Sequence, residues 1–460
     1  MARRISRDPV VDRSLKHSVR DGAAYSVMAG IGESYLTPFA LFLKASTAEI
    51  GFLTSVPALL ASFAQLFSAW LGHRIGRRRG IILAGAFLQA LVWLPLAILP
   101  LLFPEHDVLL LIVCVTFYYV LGNLIQPQWG SLMGDLVAEK RRGRYFAMRT
   151  RICSFTSFAS LVGGGLILQY FDKSSQALTG YLILFAIAFV ARLVSFYFLV
   201  RMHEPTGNVA SIEVPVSSSW WQSLRGSQFA RFSLFFTLMQ FSVSIAGPFF
   251  SVYMLRDLNF SYVELMICLS ATVLMQFVTL NRWGYLADRF GNRVILFTCG
   301  LLIPVVPLLW VFSVNFYYLI ALQLFAGMVW AGFSLSASNF LYDLIATHKR
   351  ATYMAIHNVF VGIGVFFGAI LGGYLGMHLP KDYALFGMEI HWMTNLYGIF
   401  ILSFALRLIT VLWLLPYVKE ARKVRPITVS QLIFRVGRFS SVSGLIFDII
   451  ANRKKQRVNS

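Results

Sequence analysis

The stretch Phe185–Val194 reads F-A-I-A-F-V-A-R-L-V, and the stretch Phe400–Ile409 reads F-I-L-S-F-A-L-R-L-I. Each carries one arginine, Arg192 or Arg407, within a strongly apolar run, and the two arginines lie 215 positions apart. Apolar runs of ~20 residues are typical of membrane-spanning helices, which satisfy their own backbone hydrogen bonds. The pair therefore indicates a membrane protein whose second half repeats its first.

Two further matches extend this repeat. S-T-A-E at Ser46–Glu49 corresponds to S-Y-V-E at Ser261–Glu264, again 215 positions apart. D-L-V-A-E-K-R-R-G-R-Y-F-A-M-R at Asp135–Arg149 corresponds to D-L-I-A-T-H-K-R-A-T-Y-M-A-I-H at Asp343–His357, with an offset of 208. In the serine motifs a glutamate follows three residues later, which predicts a capping box at a helix N-terminus. The order of the matches predicts two similar halves around an axis along the membrane normal, with a solute site between them near the midplane.

Composition supports a membrane location. Of the 460 residues, 57% are hydrophobic and only 13% are charged. A soluble domain of this length needs more polar residues to cover its surface. The net charge of +20 is carried by Lys and Arg in alternate gaps between apolar segments, as the positive-inside rule requires, and not on a soluble basic face for nucleic acid. We therefore expect a multi-pass protein of the plasma (bacterial inner) membrane with both termini in the cytoplasm.

The hydropathy pattern predicts an all-α membrane protein with twelve transmembrane helices in two pseudo-symmetric six-helix bundles. The predicted spans are 21–43, 48–71, 79–102, 108–135, 145–170, 178–202, 229–254, 261–283, 293–313, 316–343, 352–378 and 393–417. The predicted domains are a cytoplasmic N-terminal segment (1–20), an N-terminal bundle (21–202), a cytoplasmic connector (203–228), a C-terminal bundle (229–417) and a basic cytoplasmic tail (418–460). The apolar pattern over 426–450 fits either a helix on the membrane surface or a loosely held tail.

One loop identifies a family. G-Y-L-A-D-R-F-G-N-R at Gly284–Arg293 resembles the signature loop of the major facilitator superfamily. Its counterpart, A-W-L-G-H-R-I-G-R-R at Ala69–Arg78, departs from the family pattern at Ala69, where glycine is expected, and at His73, where aspartate is expected. The resemblance extends from Asp21 to Val418. It implies a secondary transporter that carries a small solute by alternating access.

In the family this loop acts as a cytoplasmic latch, whose aspartate and arginine make charge-assisted bonds with neighbouring helix ends. The resemblance implies that Arg74 and Arg78 pair with Asp135, and that Asp343 is the partner in the second half. His73 carries no fixed negative charge, which makes the first latch weaker or pH-sensitive. The alternative is that these are ordinary helix-end charges. The residues expected in the two latches are His73, Arg74, Arg78, Asp135, Asp288, Arg289, Arg293 and Asp343.

Glu33 lies deeper in a predicted span than any other acidic residue. With Ser26, Gly30 and Thr37 it forms a polar stripe at helical spacing along the first segment. In the family the first, fourth, seventh and tenth helices line the central cavity, so the resemblance makes Glu33 a candidate proton-binding or cation-binding group. The alternative is a protonated glutamate that is hydrogen-bonded to a neighbouring helix for structural reasons.

Other polar residues in these segments are candidates for the cavity wall, although polar side chains in membrane bundles also hold helices together. Arg192 and Arg407 are expected to be buried, either to bind a substrate anion or in a structural pairing common to both halves. Their symmetric positions favour the pairing. The cavity-lining candidates are Ser26, Thr37, Asn123, Gln126, Gln240, Ser244, Ser334 and Asn339.

Other function classes lack their motifs. No G-x-x-x-x-G-K-[ST] loop is present for ATP-driven transport, and no H-E-x-x-H or paired-cysteine motif suggests a metal site. Clustered histidines and carboxylates, expected of a membrane-embedded enzyme, are also missing, so we expect no enzymatic activity and no cofactor. The fifth and eleventh segments lack the Gly-Pro motif typical of the superfamily's drug–proton antiporters, which makes drug export less favoured.

The expected function is therefore proton-coupled secondary transport of a small solute by a monomeric chain. Its expected partners are that solute, protons and membrane lipids, but not nucleic acid. Two alternatives stay open: a non-transporting membrane sensor derived from a carrier, and a uniporter without ion coupling.

Overall fold

The computed structural model of the chain describes residues 8–75, 77–137, 142–204, 227–345, 350–385 and 388–418. These residues are helical apart from one short hairpin, β1 (Asp382–Leu385) and β2 (Met388–His391). The helices are numbered by span, with letters where a span is interrupted: α1a (Pro9–Ile31), α1b (Leu36–Phe42), α2 (Thr47–Ile75), α3 (Arg78–Leu102), α4 (Asp107–Leu136), α5 (Arg142–Lys173), α6 (Ala177–Val200), α7a (Gln228–Ala246), α7b (Phe249–Val252), α8 (Tyr262–Phe290), α9a (Asn292–Leu302), α9b (Val305–Leu309), α10 (Phe316–Leu344), α11 (Arg350–His378) and α12 (Leu396–Leu414).

Eleven spans in the described residues, α2 to α12, are long and apolar enough to cross a membrane. The first span, α1a with α1b, is the polar exception and completes the predicted twelve, so the all-helical fold class is confirmed. The predicted start of the first span at residue 21 is too late for the helix. α1a begins at Pro9, because the Asp8 side chain accepts a hydrogen bond from the Val10 N–H at 2.8 Å and proline suits the first helical turn. The predicted connector, apart from its ends, and the tail from 419 onward lie outside the described residues.

Two spans break at positions that the repeat relates. α1a ends at Ile31 with Gly32 as its C-cap, and α7a ends at Ala246 with Gly247 as its C-cap. The breaks are again 215 residues apart. Prolines follow, Pro38 inside α1b and Pro248 directly after Gly247, and proline cannot donate to the helix ladder. Interrupted backbone within a membrane is tolerated only where protein buries it or where it lines a cavity.

The predicted capping boxes are confirmed at the two related helix starts. Glu49 accepts from the Ser46 N–H at 2.7 Å, and the Glu49 N–H in turn faces the Ser46 hydroxyl at 3.3 Å. Ser261 and Glu264 repeat this arrangement at the start of α8, with distances of 2.8 and 3.3 Å. These glutamates therefore close helix ends.

The hydrophobic core is shared at one end of the molecule and divided at the other. At the end that carries Thr47 and Ser261, here called the opposite end, one buried cluster contains Phe39 and Tyr181 of the first half together with Trp310 of the second. At the other end, here called the basic end because Arg78 and Arg293 lie there, each half has its own cluster. The halves are thus packed together at the opposite end.

Glycines on α11 bring this helix into close contact with helices of both halves. A Cβ atom at Gly364 would lie 2.7 Å from the Thr237 carbonyl of α7a. A Cβ atom at Gly372, further along α11, would overlap the Ile245 carbonyl of the same helix α7a. On another face, a Cβ at Gly376 would lie 2.6 Å from the Thr47 side chain of α2. Small residues at helix interfaces permit this approach of backbones. At these glycines the backbone of α11 therefore lies close to its own half and to the other half.

Candidate functional site

A cavity of about 800 Å³ lies between the two halves. It is bordered by α1b, α2, α4, α7a and α11 and by both helix breaks. Its size is that of a small-molecule site. Five predicted residues lie on its wall, namely Glu33, Thr37, Asn123, Gln126 and Ser244. Further polar residues on the wall, which the sequence analysis did not single out as site residues, are Thr54, Ser62, Gln65, Tyr119, Ser251 and Asn358.

Glu33 lies in the 3-10 turn Glu33–Tyr35 that follows the break of the first span. The Tyr118 hydroxyl of α4 donates to Glu33 Oε1, and the Tyr25 hydroxyl of α1a lies 3.4 Å from the same oxygen. Trp93 packs against Tyr118 with ring centroids 5.1 Å apart and occupies the space that a side chain at position 32 would need. Gly32 therefore allows the turn that brings this carboxyl group to the cavity wall, where it can exchange a proton or contact a cation.

Four amide side chains form a connected network on the wall. Gln65 of α2 donates to Asn123 Oδ1 at 2.7 Å and to Gln126 Oε1 at 3.1 Å, both on α4. Asn358 of α11 donates to Gln65 Oε1 at 2.7 Å, so the network joins the two halves. Gln65 and Asn358 were not among the predicted site residues. Each is an amide inside an apolar span, which is a signal that could have identified them.

The other four cavity candidates do not line this cavity, and this corrects the predicted wall. Ser26 is buried, and its hydroxyl donates to the Gly22 carbonyl at 2.8 Å. The stripe that contains Ser26 and Gly30 packs on α5 because the break at Gly32 ends the regular helix before the stripe reaches the cavity. Ser334 donates to its own helix at Trp330. The remaining two are Gln240, whose Oε1 is buried without a hydrogen-bond partner among the described residues, and Asn339.

At the basic end of the first half, Arg78 is 2% exposed and joins three helix ends. Its guanidinium lies 2.7 Å from Asp135 and 2.8 Å from the Ser131 hydroxyl at the end of α4, and its backbone N–H donates to Glu204 after α6 at 3.0 Å. Arg74 stacks on Trp70 at 5.4 Å. The predicted pair of Arg78 with Asp135 is thus present in the geometry, whereas the side chain of His73 lies outside the part of the structure that is described.

At the related end of the second half, the contacts described are made by an arginine and an asparagine. Arg293 donates to the Pro416 carbonyl at 3.3 Å, and Asn292, which the sequence analysis missed, donates to Asp343 at 3.2 Å. Arg289 lies 3.3 Å from the Tyr285 hydroxyl on its own helix. The side chain of Asp288 is not among those described.

We expect Arg78→Gln to destabilise the protein much more than Asp135→Asn. The arginine is buried and bonds to several groups, so its loss is expected to cost about 2–3 kcal/mol. The Asp135 side chain is 49% exposed, and its neutralisation is expected to cost under about 1 kcal/mol. Thermal melts of the purified variants measure the difference. Equal losses would show that Arg78 acts only through Asp135.

The two repeated arginines are both 2% exposed, but their partners differ. Arg192 donates to Ser195 at 2.7 Å, and Ser195 donates to Asp21 at 2.7 Å. Arg407 faces only the backbone carbonyls of Val243 at 3.3 Å and Ile303 at 3.5 Å among the contacts described. A pairing common to both halves is therefore not what the geometry shows.

Known proteins with similar sequence are membrane carriers. The model of the MFS_1 like family matches residues 25–380. The multi-drug resistance efflux pump PmrA of Streptococcus pneumoniae is 27% identical over 163 residues, which are 34% of this chain and 39% of the pump's own length. The match to this curated relative thus spans well under half of each protein.

Solved structures show the same fold. The D-xylose-proton symporter superposes with a TM-score of 0.67 at 14% identity over 90% of this chain and 99% of the symporter. The nucleoside transporter NupG gives 0.61 at 15% over 90% and 100%. A bacterial homolog of the human lysosomal transporter Spinster, inward-facing and occupied, gives 0.63 at 13% over 90% and 96%. These sequence identities are too low for the substrate of any of these proteins to be assigned to this chain. The family match and the fold together show that the chain belongs to the MFS_1 like family of the major facilitator superfamily and is a multi-pass membrane protein.

Proposed function

We propose that the chain is a secondary transporter that moves a small solute through the 800 Å³ cavity by alternating access, and that Glu33 couples this movement to protons. The observation that carries the coupling proposal is the position of Glu33. Its carboxyl group lies on the cavity wall, at a break in the first span, under the hydroxyls of Tyr118 and Tyr25. An ionisable group inside a membrane protein is costly and is placed where it serves function.

The packing of the halves supports alternating access. They share one core at the opposite end, where Arg256 also donates to Thr47 across the halves at 3.0 Å. Toward the basic end, a groove of about 480 Å³ lies between α5 and α8, beside Phe155 and Phe277. We infer that this conformation is open at the basic end. By the positive-inside rule we assign that end, with both termini, to the cytoplasm.

The wall chemistry narrows the solute. The amide network and the hydroxyls of Thr37, Thr54, Ser62 and Ser244 offer hydrogen-bond donors and acceptors, and Glu33 is the one charged group on the wall in the part of the chain that is described. Such a wall suits a neutral or cationic solute with several polar groups, because an anion would face the carboxylate. If the chain exported drugs, as the name of the PmrA relative suggests, its amide network would have to accept solutes of different shapes.

A proteoliposome screen tests the proposal. The purified chain is reconstituted, neutral and cationic solutes are presented with and without a pH gradient, and accumulation is compared with protein-free vesicles. We expect at least one solute to accumulate only when the gradient is present. Downhill flux that ignores the gradient would favour the uniporter, and binding without flux would favour the sensor.

A reversible cross-link at the opposite end is expected to stop transport. With Thr47→Cys and Gly376→Cys in a background without the four native cysteines, a disulfide can join α2 to α11, because a Cβ at position 376 already reaches the Thr47 side chain at 2.6 Å. The bond holds that end closed, so no outward-open state can form. Solute flux after mild oxidation measures the effect.

The matched controls are the two single-cysteine variants under the same oxidant, together with the double variant after reduction. All three are expected to transport. Undiminished flux through the fully cross-linked protein would contradict alternating access by opening at this end.

A further inference from the structure

A second cavity, of about 220 Å³, lies inside the N-terminal bundle. Asp21 and Tyr25 of α1a, Arg149 of α5 and Arg192 of α6 face it, and Trp129 of α4 completes its wall. It adjoins the solute cavity, because Gln126 lines both.

The wall of this second cavity carries N–H donors that have no acceptor in the described residues. They are Arg192 Nε and Trp129 Nε1, both fully buried atoms. Arg192 as a whole is 2% exposed, and its guanidinium lies 5.2 Å from the centre of the Tyr25 ring. Buried N–H groups are nearly always hydrogen-bonded. The same wall also holds Gln89 Oε1, a buried acceptor without a partner in the described residues, so donors outnumber acceptors at this cavity and one further acceptor is needed.

The formal charge of the wall is positive, which also favours a bound acceptor with negative charge. Two arginines face one carboxylate, which leaves a net charge of +1. The carboxylate is only partly engaged with them: Asp21 Oδ1 accepts from Ser195 at 2.7 Å, and Oδ2 lies 3.7 Å from Arg149. Arg149 itself stacks on Trp129 at 4.3 Å. An uncompensated charge away from water is destabilising, and a bound anion would offset it.

We propose that this cavity binds one small monovalent anion, either a halide from solution or the carboxylate of a small acid. The donors without acceptors, the net charge of +1 and the volume all fit such an ion. Tyr25 of this wall also contacts Glu33, but anion binding requires no proton movement there, so the proposal does not depend on the coupling proposed above. It belongs to the first half alone: in the second half the positions related to Asp21 and Arg149 are Phe236 and His357, whose rings lie 5.3 Å apart.

Thermal stability of the purified full-length protein tests the site. Melts are recorded at one ionic strength in lactobionate, whose disaccharide body is too large for the cavity, and in chloride, bromide, formate or acetate. Ligands stabilise the state that binds them. We expect the midpoint to rise by about 2 °C or more in at least one small anion. A response to halides alone assigns the site to ions from solution, and a response to carboxylates alone assigns it to an acid.

Charge variants separate binding from a merely structural role. Arg192→Gln is expected to weaken the apparent anion affinity by about tenfold or more, and Asp21→Asn to strengthen it, because one removes the attraction and the other removes the repulsion. Trp129→Phe, which deletes one donor, is expected to weaken it. Arg407→Gln is the matched control, a buried arginine at the related position that does not face this cavity, and it should leave the anion response intact.

Three results would overturn the proposal. The first is identical melts in all five salts. The second is a shift of the affinity in the same direction for Arg192→Gln and Asp21→Asn. The third is loss of the response in Arg407→Gln. If Arg192→Gln does not fold, the proposal is decided by whether Asp21→Asn strengthens the anion affinity and Trp129→Phe weakens it.

Discussion

Glu33→Gln is expected to reduce gradient-driven solute accumulation in proteoliposomes to the level of protein-free vesicles. The glutamine amide has nearly the same shape and can still accept from Tyr118 and Tyr25, but it cannot take up or release a proton. Solute exchange between equal concentrations on both sides needs no proton cycle and should continue. The measurement is uptake with an imposed pH gradient beside counterflow without one, on the same preparation.

The matched control for this change is Glu49→Gln. Glu49 is also a glutamate in the first half, but it closes the start of α2, and glutamine serves equally well in a capping box. Its transport is expected to equal that of the unchanged protein. Gradient-driven accumulation that survives Glu33→Gln would assign the coupling to another group and leave Glu33 with a structural role.

Gly372→Leu is expected to prevent folding. The Cβ of any side chain at this position overlaps the Ile245 carbonyl next to the break of α7, and a backbone carbonyl cannot rotate away as a side chain can. Overpacking by single methylenes already costs about 1–3 kcal/mol, and leucine adds more against a rigid group. We expect the purified variant to lose the monodisperse elution peak of the unchanged protein and to melt without a cooperative transition.

Gly163→Leu on α5 is the matched control, since an added Cβ there meets no atom within 4 Å. Leucine in such open space is compatible with a lipid-exposed or cavity position. This variant is expected to elute and melt like the unchanged protein. A folded Gly372→Leu would mean that α11 and α7a can separate without loss of the fold.

The sequence was sufficient for the architecture because the signals are long and repeated. Apolar length predicted twelve spans, and eleven helices in the described residues are long and apolar enough to cross a membrane. The repeat placed Ser46 and Ser261 at the starts of α2 and α8, where the structure has both capping boxes. Pro38 and Pro248 predict bends in the first and seventh helices because each frees a backbone carbonyl, but they do not predict full breaks at Gly32 and Gly247. Hydropathy continues across the breaks, and the close approach of Trp93 to Gly32 is visible only in three dimensions.

The candidate site was only partly predictable for the same reason. Depth in a span pointed to Glu33, and the structure places it on the cavity wall. Helical spacing then wrongly predicted that Ser26 lines the same cavity, because the regular helical periodicity does not continue across a break. Gln65 and Asn358 were missed because the second and eleventh helices were not expected to line the cavity, although their amides join the halves there.

The glycine faces of α11 determine how the halves can move against each other. Side chains that interlock as ridges and grooves fix the register of two packed helices. Where α11 meets α2 of the other half, Gly373 and Gly376 have no side chains that could form such ridges. That contact can therefore separate without one ridge of side chains having to clear another, as opening at this end requires, while α11 stays packed on its own half.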